Sequence, residues 1–352
     1  MIRGERLAIL RGLPKVDLHR HLEGAMRLDT LLELGRKRGV DMPLDSPESL
    51  GGVVCYNEGE PRSLAHFLGK FHDVWYASYA DVERVAAEAV YDAAEEGVVH
   101  LELRFSPEHF CRKTSLKPLE VMRAVASRAR AAGEEMGIGA RLLITFARER
   151  QDFDAWKAIV DRAAEMADEG VAGVDLAGDE FGHPNEEFVR IFQRVADTGS
   201  LRATVHAGEG TSAAQVASAV ERLHAQRIGH GVQAIDDEAV VSLLVRRGVA
   251  LEICPISNHQ TGCVHDLQDH PLPALDRLGV RVTLNSDDPA IHRSTINDEY
   301  DVAITRWAYG LADLERLEMN AVEAAFLDED ETEALRDRVR RGYQESRGQG
   351  LS

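Results

Sequence analysis

The segment VDLHRHLEG, residues 16–24, places two histidines at the end of a short apolar run. Three later segments repeat this arrangement with His or Asp, namely TVHAGEG at 204–210, RIGHG at 227–231 and LNSDDP at 284–289. Each run is followed by a turn that contains Gly or Pro, so each is predicted to be a strand. Because the carboxyl ends of parallel barrel strands converge on one mouth, the pattern predicts a single site built from several strands.

His19 and His21 are the tightest geometric indication of a metal. Residues i and i+2 of a strand point to the same face, so both imidazoles can address one ion. Imidazole nitrogens plus one carboxylate suit zinc, which in catalytic sites keeps one position open for water. An H-x-H pair alone is weak evidence for a metal, because two surface or hydrogen-bonded histidines more often explain it. The three other motifs at equivalent strand ends favour the metal site.

Eight short apolar runs, with helical patterns between most of them, predict the fold. The predicted strands lie near residues 15–20, 98–105, 139–146, 171–177, 201–206, 227–230, 249–254 and 280–285. Strands that alternate with helices are typical of an α/β protein of the TIM (β/α)8 barrel type. Such a barrel takes about 250 residues and grows by insertion. We therefore expect residues 1–352 to form one barrel domain.

Helices are predicted between the strands and after the last one. The patterns at 80–97 and 116–137 both end at glycine, as helix C-termini prefer. The patterns at 153–170 and 186–198 carry apolar residues at helical spacing. Residues 295–347 are predicted to form two or three more helices outside the barrel.

A long insertion separates the first two predicted strands and carries an apolar stripe. The stripe recurs at helical spacing and consists of Leu64, Phe67, Leu68, Phe71, Val74 and Trp75. It predicts a helical lid within residues 45–80. Such stripes usually pack into a core, but an insertion after a barrel strand lies over the mouth, where sites are built. Both interpretations stay open for this stripe.

Composition excludes several classes of partner. The 41 basic and 60 acidic residues give a net charge of −19, which disfavours binding to polyanions, and no Lys/Arg-rich run suits a polynucleotide. The four cysteines, Cys55, Cys111, Cys254 and Cys263, include no C-x-x-C pair. The first residues lack a signal-peptide apolar core, and no apolar stretch reaches spanning length. We expect a cytoplasmic protein without nucleic-acid or membrane partners, and leave its oligomeric state open.

The whole motif set resembles one family, the adenosine deaminases among the zinc-dependent amidohydrolase-like barrels. The matching segments are DLHRHLEG, ELRFSP, DLAGDE, TVHAGEG, RIGHG, EICPISN and LNSDDP, in order, from about residue 13 to about 345. Cytidine-type zinc deaminases carry a different signature, H-x-E with P-C-x-x-C, which this sequence lacks. The resemblance implies hydrolytic deamination of adenosine and 2′-deoxyadenosine to inosine and 2′-deoxyinosine plus ammonia, in purine salvage.

The resemblance also implies a role for each residue near the metal. It implies one zinc ion per subunit, held by His19, His21, His206 and Asp287. Glu209 protonates N1 of the purine, and His230 orients the attacking group and stabilises its charge, although a structural histidine is the alternative. Asp288 cannot share the direction of Asp287 if strand geometry persists, so we expect it to hydrogen-bond purine N7 instead.

The remaining predicted contacts concern the substrate. Gly178 matches the family glycine that approaches the base at N3, where a Cβ would crowd the ligand, and a turn glycine is a compatible reading. Adenosine deaminases commonly carry Asp where this chain has Glu23, at the ribose 5′-hydroxyl, so this departure leaves sugar specificity open. His21 would also face the substrate. The insertion would wall the pocket through Leu64, Phe67 and Phe71.

Two other functions fit the sequence. One is deamination of another 6-aminopurine, such as 6-aminodeoxyfutalosine in menaquinone synthesis, free adenine or a modified adenosine. The ELRFSP segment, whose Arg104 and Ser106 are expected to support the site, argues mildly against free adenine. The other is a catalytically inactive barrel that acts as a binding protein. The intact ligand set and Glu209 argue against it, because decay usually removes one of them.

Overall fold

A computed structural model describes residues 2–347, in which eight parallel strands form one sheet in sequence order. The strands are β1 Lys15–His21, β2 Val98–Phe105, β3 Gly139–Ala147, β4 Val171–Ala177, β5 Arg202–Ala207, β6 Arg227–His230, β7 Ala250–Ile253 and β8 Arg281–Leu284. A backbone bridge between Arg20 and Asp287 brings the chain after β8 alongside β1. The predicted TIM (β/α)8 barrel is confirmed, and all eight strands lie where the apolar runs placed them.

The helices surround this sheet. They are α1 Arg3–Gly12, α2 Leu28–Arg38, α3 Pro47–Val54, α4 Leu64–Leu68, α5 Tyr79–Glu95, α6 Pro107–Cys111, α7 Pro118–Met136, α8 Phe153–Glu165, α9 Val189–Thr198, α10 Ala213–Arg222, α11 Glu238–Arg247, α12 Pro255–Gln260, α13 Leu272–Arg277, α14 Pro289–His292, α15 Ile296–Trp307, α16 Leu311–Ala324 and α17 Glu329–Ser346. Across residues 2–347, no helix has both the length and the apolar character needed to cross a bilayer.

The predicted helices are present, with two of them shorter than expected. Helices α5 and α7 match the predictions at 80–97 and 116–137, and α7 ends at Gly137, which adopts the left-handed conformation with φ 67°. The ends predicted for α8 and α9 are instead 3-10 turns at Ala167–Glu169 and Asn185–Phe188. Helices α15 to α17 are the extra C-terminal helices, and α16 packs against β8.

The interior of the barrel is charged beneath the mouth. Arg227 lies 2.6 Å from Glu102 and 2.5 Å from Glu252, and Arg104 lies 2.7 Å from Glu252. All four side chains are at most 1% exposed. TIM barrels usually fill this space with Val, Ile and Leu. Here paired charges fill it instead, and each buried charge has an opposite partner, as burial demands.

The insertion differs from the helix that its apolar stripe predicted. Helix α4 contains only residues 64–68, and the chain from 69 to 78 has no regular structure, so the prediction of one continuous helical face is wrong. Gly69 is a poor helix former and follows the last helical residue. Beyond it the apolar side chains are buried separately, with Trp75 1% exposed in the core. Tertiary packing therefore overrides the local periodicity.

Candidate active site

The four predicted metal ligands lie together at the mouth of the barrel. One ligand atom from each of His19, His21, His206 and Asp287 falls within 4.8 Å of all the others. Asp287 Oδ1 is 3.2 Å from His19 Nε2 and 3.5 Å from His21 Nε2. His21 Nε2 is 3.2 Å from His206 Nε2. Strands β1 and β5 and the turn after β8 thus bring three imidazoles and one carboxylate to a point that could hold a metal ion.

Two of these histidines contact carboxylates through the ring nitrogen that faces away from the metal position. His19 Nδ1 lies 2.8 Å from Glu252 Oε2, and His206 Nδ1 lies 2.9 Å from Asp175 Oδ1. Metal-binding histidines almost always donate their second ring N–H in this way, which leaves the other nitrogen free for the ion. Within the described chain, His19 Nε2 forms no well-aligned hydrogen bond despite full burial, and its 3.2 Å contact is with Asp287 Oδ1, another of the candidate ligands. The donor set therefore fits a metal.

Sequence reasoning missed this supporting layer, although both carboxylates stand in quoted motifs. Burial alone would raise the pKa of Asp175, but the neighbouring His206 and the Arg104 guanidinium hold it well below its usual range. Arg104 and Arg227 lower the pKa of Glu252 in the same way against its burial. The period-2 pattern was the available signal, because Asp175 and Glu252 point into the barrel from β4 and β7.

The turn that carries Asp287 is strained rather than strand-like. Asp287 has φ 59° and His230 has φ 60°, both in the left-handed region that non-glycine residues rarely adopt. Strand geometry therefore does not persist through Asp287 and Asp288. Our expectation for Asp288 assumed that it does, and that assumption was wrong. The two carboxyl groups stay close, with one oxygen of each within 4.8 Å of the other, and Asp288 also packs against Gly24, where an added Cβ would lie 1.7 Å from Asp288 Oδ1. Only glycine fits at residue 24.

Glu209 lies in the same pocket, and its loop is held by a second carboxylate. Glu180 accepts hydrogen bonds from the backbone N–H of Gly208 at 2.8 Å and of Glu209 at 3.1 Å, and from the Thr211 hydroxyl at 2.5 Å. Burial raises the pKa of Glu209 well above its usual range, and the charges of Asp287 and Glu180 raise it further. These surroundings favour the protonated form of Glu209. Glu180 was not among the predicted site residues.

His230 faces both Glu209 and the metal ligands. Its Nε2 atom is 3.7 Å from Glu209 Oε2 and 4.0 Å from Asp287 Oδ2. Burial lowers the pKa of His230 well below its usual range, so the ring is neutral. Its other nitrogen, Nδ1, lies 3.0 Å from Asn258 Nδ2 on α12.

The opposite end of the pocket is formed by Glu23. Its Oε1 atom accepts a hydrogen bond from Ser106 N at 2.7 Å, while Oε2 has no partner among residues 2–347. Burial raises the pKa of Glu23 to about 7. Glu23 also lines a cavity of about 20 Å³ together with Lys70, Phe71 and His72 of the insertion. Ser106 thus contacts the Glu23 carboxyl group through its backbone N–H.

The insertion reaches the metal ligands through one stacked pair. The Phe67 ring lies parallel to His292, with an interplanar angle of 5° and ring centroids 4.8 Å apart. His292 Nε2 is in turn 3.6 Å from Asp287 Oδ2. Leu64 lies over the Glu209 loop, where a Cβ on Gly210 would be 3.4 Å from Leu64 Cδ2. His292 was missed because a lone histidine after the Asp pair carries no distinctive spacing.

Gly178 is explained by its surroundings in the protein itself. It has φ +107°, and an added Cβ would lie 2.5 Å from the Glu149 carboxylate. The left-handed backbone conformation therefore favours glycine, whereas the Glu149 carboxylate stands at the end of a flexible side chain and could move aside. Its contact with a purine base stays a prediction.

Comparison with known proteins agrees with this geometry. The family model for adenosine deaminase matches residues 14–342. Adenosine deaminases of Serratia proteamaculans and Aliivibrio fischeri are each 39% identical to this chain, over 93% and 94% of it and 98% of their own length. An adenine deaminase from Arthrobacter aurescens has a TM-score of 0.86 at 27% identity, covering 94% of this chain and 99% of its own.

A second solved structure adds a metal. An amidohydrolase from Burkholderia ambifaria with bound Zn superposes with a TM-score of 0.89 at 28% identity, covering 99% of this chain and 95% of its own. The family match spans nearly all of the barrel and includes every strand end that forms the pocket. The chain therefore belongs to the adenosine deaminase family and is an aminohydrolase.

Proposed function

We propose that the protein deaminates adenosine and 2′-deoxyadenosine by hydrolysis, releasing ammonia, and that it serves purine salvage. The observation that carries the proposal is the placement of a buried Glu209, whose surroundings favour its protonated form, beside four convergent metal ligands. A metal-binding barrel without catalysis has no use for a buried acid held in the same pocket. The adenosine deaminases at 39% identity support the choice of substrate.

We propose that one zinc ion binds to His19, His21, His206 and Asp287. Three imidazole nitrogens with one carboxylate are a ligand set that zinc favours, and the buried free nitrogen of His19 suits an ion. The related amidohydrolase with bound Zn supports this identity. Zinc in such a site would supply a water nucleophile near neutral pH.

Three side chains of this chain would handle the purine ring. Glu209 would hold a proton at its carboxyl group and deliver it to N1, which lets the ring accept electrons at C6. His230, with Nε2 between Glu209 and Asp287, would orient the nucleophile and stabilise its charge. Asp288 would hydrogen-bond N7. Burial raises the pKa of Asp288 well above its usual range, and Asp287 raises it further.

Further residues would bind the rest of the substrate. Gly178 would approach N3, His21 would face the base as well as the metal, and Glu23 would bind at the sugar. We propose that residues 45–80 form a lid within a single domain, its pocket wall being Leu64, Phe67 and Phe71. The position of Phe67 against His292, next to Asp287, supports this role.

One observation favours a second candidate, a deaminase of a 6-aminopurine nucleoside with a larger 5′ group. Glu23 keeps a buried carboxyl oxygen free and borders a cavity of about 20 Å³, so the packing around the expected 5′-hydroxyl is not completely filled. A site that hydrogen-bonds a hydroxyl penalises analogues without it, because a buried polar group is left unpaired. If Glu23 binds the 5′-hydroxyl, kcat/KM should therefore be higher for adenosine than for 5′-deoxyadenosine. The substitution Glu23→Ala should then reduce this difference in kcat/KM.

Ammonia release from a panel of purines tests the proposal. The panel contains adenosine, 2′-deoxyadenosine, 5′-deoxyadenosine, adenine and a 5′-substituted adenosine. Highest kcat/KM for adenosine and 2′-deoxyadenosine supports the proposal. Equal efficiency on the 5′-substituted compound favours the second candidate, and turnover of none of them refutes both.

We also propose that the protein works in the cytoplasm on a small uncharged substrate. The four cysteines of the described chain are all unpaired, which suits a reducing compartment. The net charge of −19 argues against a nucleic-acid partner.

A further inference from the structure

His230 is connected to a backbone amide outside the pocket through two buried side chains. Leu272 N lies 3.0 Å from His270 Nδ1, and His270 Nε2 lies 3.2 Å from Asn258 Oδ1. Asn258 Nδ2 then lies 3.0 Å from His230 Nδ1. The three side chains are at most 4% exposed. Bulk water therefore does not compete for these hydrogen bonds.

The direction of every hydrogen bond follows from the backbone end. An amide N–H can only donate, so His270 Nδ1 accepts from Leu272 and the proton of the neutral ring sits on Nε2. Burial lowers the pKa of His270 to about 3, which keeps the ring neutral. His270 Nε2–H needs an acceptor, so the Asn258 oxygen must face His270. The Asn258 NH2 group must then donate to His230 Nδ1.

We propose that Leu272, His270 and Asn258 form a relay that fixes His230 as the tautomer with its proton on Nε2. His230 then acts in the pocket as a hydrogen-bond donor that cannot accept a proton on that atom. His270 and Asn258 are positioning residues, since they act through His230. The role of His230 as a donor in catalysis rests on the proposed function, whereas the assignment of its proton to Nε2 does not.

The other side of His230 supports this assignment independently. Nε2 faces the Asp287 carboxylate, with Oδ2 at 4.0 Å, and the Glu209 carboxyl group, with Oε2 at 3.7 Å. An N–H group is attracted to the charged Asp287 oxygen, whereas a lone pair is repelled by it. A donor at this place can hold a developing negative charge on an oxygen of the substrate or nucleophile.

The substitution Asn258→Asp reverses the relay with almost no change in shape. A carboxylate only accepts, so it takes hydrogen bonds from His270 and from His230 Nδ1–H and moves the His230 proton away from the pocket. We expect a loss of about 100-fold or more in kcat, the range of a misplaced acid–base group, with KM changed far less.

Two variants of His270 separate positioning from packing. His270→Gln can still accept from Leu272 N and donate to Asn258, so it should stay within about three-fold of the parent, whereas His270→Leu removes the donor and should lose about ten-fold or more. Trp307→Phe is the matched control, because Trp307 packs against His270 with ring centroids 5.3 Å apart and is not in the relay. It should leave kcat unchanged.

Nitrogen NMR of the metal-loaded enzyme, labelled with 15N at histidine, reads the tautomer directly without substrate. We expect the parent His230 to carry its proton on Nε2 and Asn258→Asp to carry it on Nδ1; His230→Gln assigns the signals. A parent His230 protonated on Nδ1, or Asn258→Asp with unchanged kcat and tautomer, overturns the relay. If Asn258→Asp does not fold, the relay is tested by the spectrum of the parent and by the kcat values of His270→Gln and His270→Leu. Absence of deaminase activity in the parent would refute the proposed function and leave the tautomer result standing.

Discussion

Glu209 is a buried acid whose surroundings favour its protonated form. The substitution Glu209→Gln therefore keeps the shape of the side chain and removes the proton that it could transfer. We predict a loss of about 10³–10⁴-fold in kcat, at the upper end for an acid–base group, because the acid must also activate an aromatic ring. Steady-state kinetics with metal analysis of the same sample checks this. Turnover within a few-fold of the parent, with metal bound, would rule out this role.

A substitution at Asp175 tests whether the carboxylates that contact the histidine ligands strengthen metal binding. Its charge makes His206 a better ligand through the 2.9 Å contact with Nδ1. Asp175→Asn should weaken metal affinity by about 10–100-fold, as loss of such a partner typically does. Competition with a chromophoric chelator measures the affinity. Asp154→Asn is the control, since Asp154 is 93% exposed and pairs only with Lys157 at the surface; an equal effect of both changes would contradict the prediction.

At the scale of the elements, β6 passes so close to the metal ligands that it tolerates no side chain at one position. A Cβ on Gly229 would lie 2.9 Å from His19 Cε1 and 3.2 Å from His206 Cγ. Gly229→Ala should therefore displace both imidazoles, and the purified variant should bind metal at least about ten-fold more weakly. Gly52→Ala is the control, because nothing lies within 4 Å of that added Cβ on α3. Full metal occupancy in Gly229→Ala under chelator challenge would exclude this constraint.

The strands and the insertion differ in how far local sequence determines them. Each barrel strand is a short apolar run bounded by turn residues, so its position could be predicted to within a residue or two. The site followed from the strand ends, since His19 and His206 lie where the barrel brings strands together. The insertion has no such repeat. Its stripe from Leu64 to Trp75 matched helical spacing, but contacts distant in sequence decide where each side chain is buried.

The supporting residues needed the three-dimensional structure for the same reason. Glu252, Asp175 and Asn258 each stand in a motif that the sequence analysis quoted, yet their partners lie on other strands. His292 contacts Phe67 of the insertion and lies near Asp287, and neither contact is encoded by spacing. Sequence indicates which atoms could bind a metal, and packing decides which groups orient them.

At the scale of the whole molecule, the charged interior links stability to pH. Burial would raise the pKa of Glu102, but Arg227 and His100 hold it at about 2, against an ordinary value of 4.5. A lowered pKa in the folded state stabilises the protein above pH 4.5, and this stabilisation is lost as pH falls from 4.5 towards 2. It amounts to roughly 3 kcal/mol at 1.36 kcal/mol per pH unit.

Glu102→Gln should remove this pH dependence. The variant should unfold more easily than the parent at pH 7, by roughly 3 kcal/mol, and the difference should shrink towards zero near pH 2. Denaturant unfolding of both proteins at several pH values measures it. Chelator in every sample keeps acid release of metal from contributing. A difference that stays constant from pH 7 to pH 3 would contradict the assignment.

Metal-dependent release of ammonia from adenosine tests the central claim most directly. The protein is stripped with chelator, dialysed and titrated with zinc, and ammonia release is measured on the sample whose metal content is determined. The account predicts negligible activity without metal and a linear rise that ends at one equivalent per chain, because one set of ligands, His19, His21, His206 and Asp287, converges at the mouth. Full activity in protein shown to be metal-free, or no ammonia from adenosine at one equivalent of zinc, would contradict it.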